Sequence, residues 1–60
     1  MKLIKIDEVK KLTCLGTTTI YKLINEGVFP KQVKMSKNTS AWIEEEVKDY
    51  IAKRIADRAV

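Results

Sequence analysis

The chain has 60 residues, with 12 basic and 8 acidic side chains and a formal net charge of +4 at neutral pH. A chain this short buries only about 60% of the surface that it exposes when unfolded, which leaves little room for a catalytic pocket. A single cysteine excludes an internal disulfide. No stretch approaches the roughly 20 apolar residues of a membrane span, and none has the apolar run expected of a signal peptide. We therefore expect one domain over residues 1–60, held by its core alone, in the reducing cytoplasm.

The first element along the chain is predicted to be a short helix after an extended lead-in. Residues 1–6 mix apolar side chains with lysine and favour an extended segment. Asp7 is positioned to act as an N-cap, because its carboxylate can accept a hydrogen bond from a free amide of the first turn. The helix is expected to end near Thr13, with Val9 and Leu12 facing inward.

A second helix is predicted from about Thr17 to Glu26. The connection before it, residues 14–16, contains a glycine, and we expect Cys14 to be at least half-buried there. The apolar residues of the second helix recur at helical spacing and form its inward stripe: Ile20, Leu23 and Ile24. Gly27 is expected to end the helix in the left-handed conformation.

Residues 31–43 predict a β-hairpin. Apolar and polar residues alternate in its first strand, so Val33 and Met35 are expected to face inward. Turn-forming residues occupy 36–39. A lone hairpin is only marginally stable in water, so Trp42 in the returning strand should fix the hairpin to the helices.

The last helix is predicted to begin near Glu44, where three consecutive glutamates suit the positive end of a helix. Its inward stripe is expected to be Val47, Tyr50, Ile51 and Ile55. The fold class is therefore mainly α with a β-hairpin, in the order helix, helix, hairpin, helix. This is the order of a winged helix-turn-helix domain.

The uneven distribution of charge indicates an anionic partner. Eight lysines and three acidic residues give residues 1–43 a net charge of +5, whereas four basic and five acidic residues give 44–60 a net charge of −1. In a helix-turn-helix the second helix enters the major groove of DNA, and a basic hairpin can reach the neighbouring minor groove. The DNA-binding candidates are Thr17, Thr18, Thr19, Tyr21, Lys22, Lys34 and Lys37.

Each candidate also has a purely structural interpretation. The threonines could simply cap the second helix, Tyr21 could pack in the core, and the lysines could be solvated. The chain has no histidine, no glycine-rich phosphate loop and no pairing of a nucleophile with a base. One cysteine cannot build a zinc site. We therefore expect no enzymatic activity, no catalytic residue, no metal and no cofactor.

Residues 19–31 (TIYKLINEGVFPK), followed by Val33, by Ala41-Trp42 and by Glu46-Val47, resemble the AlpA family. These are small phage- and island-encoded regulators related to excisionases, with a winged helix-turn-helix like that of MerR N-terminal domains. The likeness runs from about Leu3 to Ile55. The chain departs from the family at three positions: Cys14 stands where glycine is frequent, Gly16 where a serine or threonine cap is frequent, and Thr17 where a basic residue is common.

The resemblance implies sequence-specific binding of double-stranded DNA by the candidate residues above. Family members activate transcription of an integrase gene, or act as excisionases that bend DNA beside the attachment site of a prophage or genomic island. An integrase and further copies of the chain, bound cooperatively on DNA, are the implied partners. The alternative is a protein-interaction module, similar to an antirepressor or antitoxin. RNA binding is a more remote alternative, because the sequence lacks an exposed aromatic platform.

Overall fold

The structure is a computed structural model that describes residues 1–58. In chain order, its elements are β1 (Leu3–Ile4), α1 (Ile6–Thr13), α2 (Thr17–Asn25), β2 (Val33–Ser36), β3 (Thr39–Ile43) and α3 (Glu44–Asp57). The expected order of helix, helix, hairpin, helix is confirmed, and the arrangement is that of a winged helix-turn-helix. The extended lead-in is the short strand β1.

The three strands form one antiparallel sheet in the order β1-β3-β2. The lead-in pairs with the returning strand of the hairpin, with Ile4 opposite Trp42. On the other side of β3, Lys34 lies opposite Ser40, and the turn of the hairpin is narrower than predicted, with only residues 37–38 between the paired positions. The central strand β3 therefore connects the start of the chain to the hairpin.

The core draws one fully buried side chain from each of four elements. Val9 of α1, Ile20 of α2, Trp42 of β3 and Val47 of α3 are each 0% exposed. The indole nitrogen of Trp42 donates a hydrogen bond to the carbonyl of Pro30 at 3.1 Å, so its polar group is satisfied. The prediction that Trp42 fixes the hairpin to the helices is confirmed.

Gly27 ends α2 in the left-handed conformation, as predicted, with φ of 78°. Its amide donates to the carbonyl of Ile24 at 3.0 Å, and the amide of Val28 donates to the carbonyl of Leu23 at 3.1 Å. These two bonds are the pair that defines a Schellman motif. They satisfy carbonyls of α2 that would otherwise lack partners at its end.

Replacing Gly27 with alanine is expected to lower the free energy of unfolding by about 1–2 kcal/mol, the cost of a left-handed conformation in an L-residue. An added Cβ would meet nothing within 4 Å, so the cost is in the backbone alone. Gly16→Ser is the control: at φ −80° with open space, serine should match glycine or gain a few tenths of a kcal/mol as a cap. Equal destabilisation of both variants in urea titrations would contradict this explanation.

The N-cap of α1 is Lys5, and the prediction of Asp7 was wrong. The carbonyl of Lys5 accepts hydrogen bonds from the amides of Glu8 and Val9, each at 3.0 Å, and no side chain caps this end. Because β1 pairing ends at Ile4, the chain turns into the helix directly after it. Asp7 lies in the first turn, where its charge still favours the helix.

Four side chains are more exposed than expected. Cys14 is exposed because it occupies the left-handed position that ends α1, with φ of 62°. Val33 is 38% and Met35 is 50% exposed, since β2 is an edge strand whose alternation is interrupted between Lys34 and Ser36. Ile55 is 53% exposed although it continues the apolar stripe of α3.

Candidate nucleic-acid interface

The outward side of α2 is a polar surface at the start of this helix. Ile20 is fully buried, and Leu23 and Ile24 pack half-buried against the core. Thr18 and Lys22 lie on the opposite side of the helix and are exposed. The predicted separation of the two sides of α2 is therefore confirmed.

The three threonines are the first three residues of α2 and do not cap it. The N-cap is Gly16, whose carbonyl accepts the amide of Ile20 at 3.0 Å and which has no side chain to offer. Thr17, Thr18 and Thr19 are exposed, and none of their hydroxyls bonds to another group within residues 1–58. Their donors and acceptors are thus available to a ligand.

Tyr21 lies between the core and the solvent. Its ring meets the ring of Trp42 edge-on, with 6.2 Å between centroids, while 38% of the residue stays exposed. Such an edge-to-face pair contributes about 0.5–1.5 kcal/mol beyond its burial. The packing holds Tyr21 at the margin of the polar surface of α2.

Lys34 and Lys37 lie on the hairpin and are both exposed. Lys34 is fixed in β2 by its pairing with Ser40, and Lys37 stands in the turn. Three ion pairs occur in the part of the chain that the structure describes: Lys2–Glu44, Lys48–Glu44 and Arg54–Asp57. The lysines of α2 and the hairpin take part in none of them, so their charges are not locally compensated.

A crevice of about 250 Å³ separates α2 from the tip of the hairpin. Its lining comes from the start of α1 and the residue before it, from α2, from the hairpin tip and from β3: Lys5, Ile6, Tyr21, Asn38, Thr39, Ser40 and Trp42. We call it the α2–hairpin crevice. Sequence reasoning missed Lys5, because only the pairing of β1 with β3 brings it beside residues more than 30 positions away.

The residues that the structure describes include no group of three or more histidine, cysteine or acidic side chains that could hold a metal ion. None of the helices described is long and apolar enough to cross a membrane.

The comparisons with known proteins identify the family. The family described as prophage CP4-57 regulatory protein (AlpA) matches residues 2–55. The chain belongs to the AlpA family. The uncharacterized protein ORF88 of Enterobacteria phage P4 is 40% identical over 57 residues, which are 95% of this chain and 65% of that protein. The sequence resemblance is thus confirmed, and the chain is similar to a phage protein that is longer than itself.

The matched range places every candidate residue within the AlpA-family region, including all of α2, the hairpin and Lys5.

The matched range also includes most of a second groove, of about 290 Å³, which lies between α1 and the end of α3. This groove is mainly apolar, with Leu12, Leu15 and Ile55 in its lining and Arg54 and Arg58 beside them.

Proposed function

We propose that this AlpA-family protein binds double-stranded DNA sequence-specifically, as a transcriptional regulator or excisionase of a prophage or genomic island. Residues 1–60 would act as one DNA-binding domain in the cytoplasm, without catalytic groups. The observation that carries the proposal is the surface of α2. Its threonines and Lys22 are exposed and have no side-chain partner within residues 1–58, while Ile20 on the other side of the same helix is fully buried.

In this proposal α2 enters the major groove with its N-terminal end nearest the bases. The hydroxyls of Thr17 and Thr18 bond phosphates or base edges, and Lys22 neutralises a phosphate. No arginine precedes Arg54, so the side chain that most often reads guanine is absent from this surface. Recognition would then depend strongly on phosphate position and on the shape of the DNA.

The hairpin would act as the wing beside the recognition helix. Lys34 and Lys37 are exposed on the edge strand and in the turn, where they can reach the backbone or the adjacent minor groove. A single module of this size buries only about 600–1,000 Å² of protein surface on DNA. Firm occupancy of a site therefore calls for several copies bound cooperatively on neighbouring sites, or for an integrase as partner.

A salt titration tests the proposal directly. If about five lysines meet phosphates, the logarithm of the association constant should fall with the logarithm of salt concentration with a slope of about −4 to −5. Fluorescence anisotropy on a labelled random-sequence duplex, between 50 and 200 mM salt, measures this slope. A slope near zero would contradict DNA binding by this surface.

The apolar groove between α1 and α3 favours a second candidate function, an interaction module of the antirepressor or antitoxin kind. Ile55 is 53% exposed there, and Arg54 and Arg58 suit a partner with an acidic amphipathic helix. If protein binding is the whole function, the chain should show negligible affinity for any duplex even at 50 mM salt. The titration above therefore separates the two functions.

A further inference from the structure

The α2–hairpin crevice is lined by hydrogen-bond donors and by no carboxylate. Its lining includes five residues whose side chains can donate a hydrogen bond, namely Lys5, Tyr21, Asn38, Thr39 and Ser40. Within residues 1–58, none of these five side chains makes a hydrogen bond or an ion pair. A cleft with one cation, several free donors and no competing anion suits a small anionic group.

The acidic residue closest to Lys5 in sequence is not among the residues that line this crevice. Asp7 follows Lys5 closely in sequence, but it lines a different groove, together with Lys10 and Cys14. Trp42 also lines the crevice, but its indole nitrogen already donates to the carbonyl of Pro30 and is not a free donor. The charge in the crevice is therefore the single positive charge of Lys5.

The position of the crevice defines what the anion would be. A helix in the major groove and a hairpin in the adjacent minor groove lie on either side of one phosphodiester strand. That strand must pass through the space between α2 and the hairpin tip, where the crevice lies. We propose that a backbone phosphate of the DNA is bound in this crevice, with Lys5 as its cation and Ser40 as a hydroxyl donor. This inference rests on the proposed function and adds Lys5 and Ser40 to the interface.

The first test compares Lys5→Gln with Lys53→Gln, which removes the same charge from an exposed position on α3. Loss of one phosphate contact should reduce the magnitude of the salt slope by about 0.9 and weaken binding roughly five- to tenfold at 0.1 M salt. Lys53→Gln should leave the slope unchanged and weaken binding only slightly, through the lower net charge, and Lys5→Arg should keep the wild-type slope. The Lys5 side chain does not cap α1, so these variants should fold, as circular dichroism can verify.

The second test locates the phosphate by replacing each backbone phosphate of a bound duplex with an uncharged methylphosphonate. At one position the wild-type protein should lose affinity, whereas Lys5→Gln should lose little more, because the contact is already absent. Ser40→Ala should weaken binding to the unmodified duplex without changing the salt slope, and the methylphosphonate at that same position should weaken its binding little further. If every methylphosphonate reduced the affinity of Lys5→Gln by the same factor as that of the wild-type protein, the inference would be overturned.

Failure of this inference is distinguishable from failure of the proposed function. A wild-type slope near zero would overturn both. A wild-type slope of about −4 to −5, with equal slopes for Lys5→Gln and Lys53→Gln, would leave DNA binding intact and overturn the assignment of Lys5 alone.

Discussion

Replacing Trp42 with alanine is expected to lower the free energy of unfolding by about 3–5 kcal/mol, the usual cost of truncating a large buried aromatic residue. The Trp42 side chain is fully buried in the core that α1, α2 and α3 share, and it contacts the ring of Tyr21. At about 0.05–0.15 kcal/mol per residue, a chain of this size has only about 3–9 kcal/mol of stability, so the loss is a large share of the total. Urea denaturation followed by circular dichroism should therefore show a strongly destabilised variant.

Two control variants separate the contributions of Trp42. Trp42→Phe keeps an aromatic ring in the core but removes the donor to Pro30, so it should cost less than the alanine variant. Val28→Ala truncates an apolar side chain that is 55% exposed, and it should change stability by no more than about 0.5 kcal/mol. If Trp42→Ala melted like Val28→Ala, the assignment of Trp42 to the core would be wrong.

Trp42 also connects stability to the proposed interface. Its ring packs edge-on against the ring of Tyr21, and it is one of the residues that line the α2–hairpin crevice. The position of the hairpin relative to α2 therefore depends on the same side chain that fills the core. A partial loss of packing at Trp42 should weaken DNA binding through this geometry even in molecules that remain folded.

The sides of α2 could be predicted from the sequence because the information is local. Ile20, Leu23 and Ile24 recur at helical spacing, and this spacing alone assigns Thr18 and Lys22 to the opposite side. The end of α2 could also be predicted from local sequence, because the backbone of Gly27 can adopt a positive φ without strain. These two local patterns are enough to predict where the candidate residues of α2 lie.

Long-range pairing and the edges of the fold could not be predicted in the same way. Apolar periodicity assigned Ile55 to the inward stripe of α3, but it carries no information on where the opposing element ends. Alternation likewise assigned Val33 to the core, although an edge strand with a bulge leaves it partly exposed. Lys5 lies beside the hairpin tip only through the register between Ile4 and Trp42, which no local pattern specifies.

Simultaneous replacement of Lys22, Lys34 and Lys37 with glutamine is expected to give the largest loss of DNA affinity. The three lysines are exposed, and none forms an ion pair in the described part of the chain, so their removal should change thermal stability little. Three lost phosphate contacts should reduce the magnitude of the salt slope by about 2.7 and weaken binding roughly 10²–10³-fold at 0.1 M salt. Anisotropy titrations at several salt concentrations measure both quantities.

The control replaces Lys48, Lys53 and Arg58 of α3 and its C-terminal cap with glutamine. It removes the same charge from residues outside the proposed interface, together with the exposed ion pair between Lys48 and Glu44. Long-range attraction to DNA weakens equally in both triple variants, because it follows net charge. Direct contact with phosphates depends on where each charge lies, so only the variant of Lys22, Lys34 and Lys37 should show a salt slope of smaller magnitude. If the two variants lost affinity and slope to the same extent, the polar surface of α2 and the hairpin would contribute net charge alone, and this surface would not be the site of DNA contact.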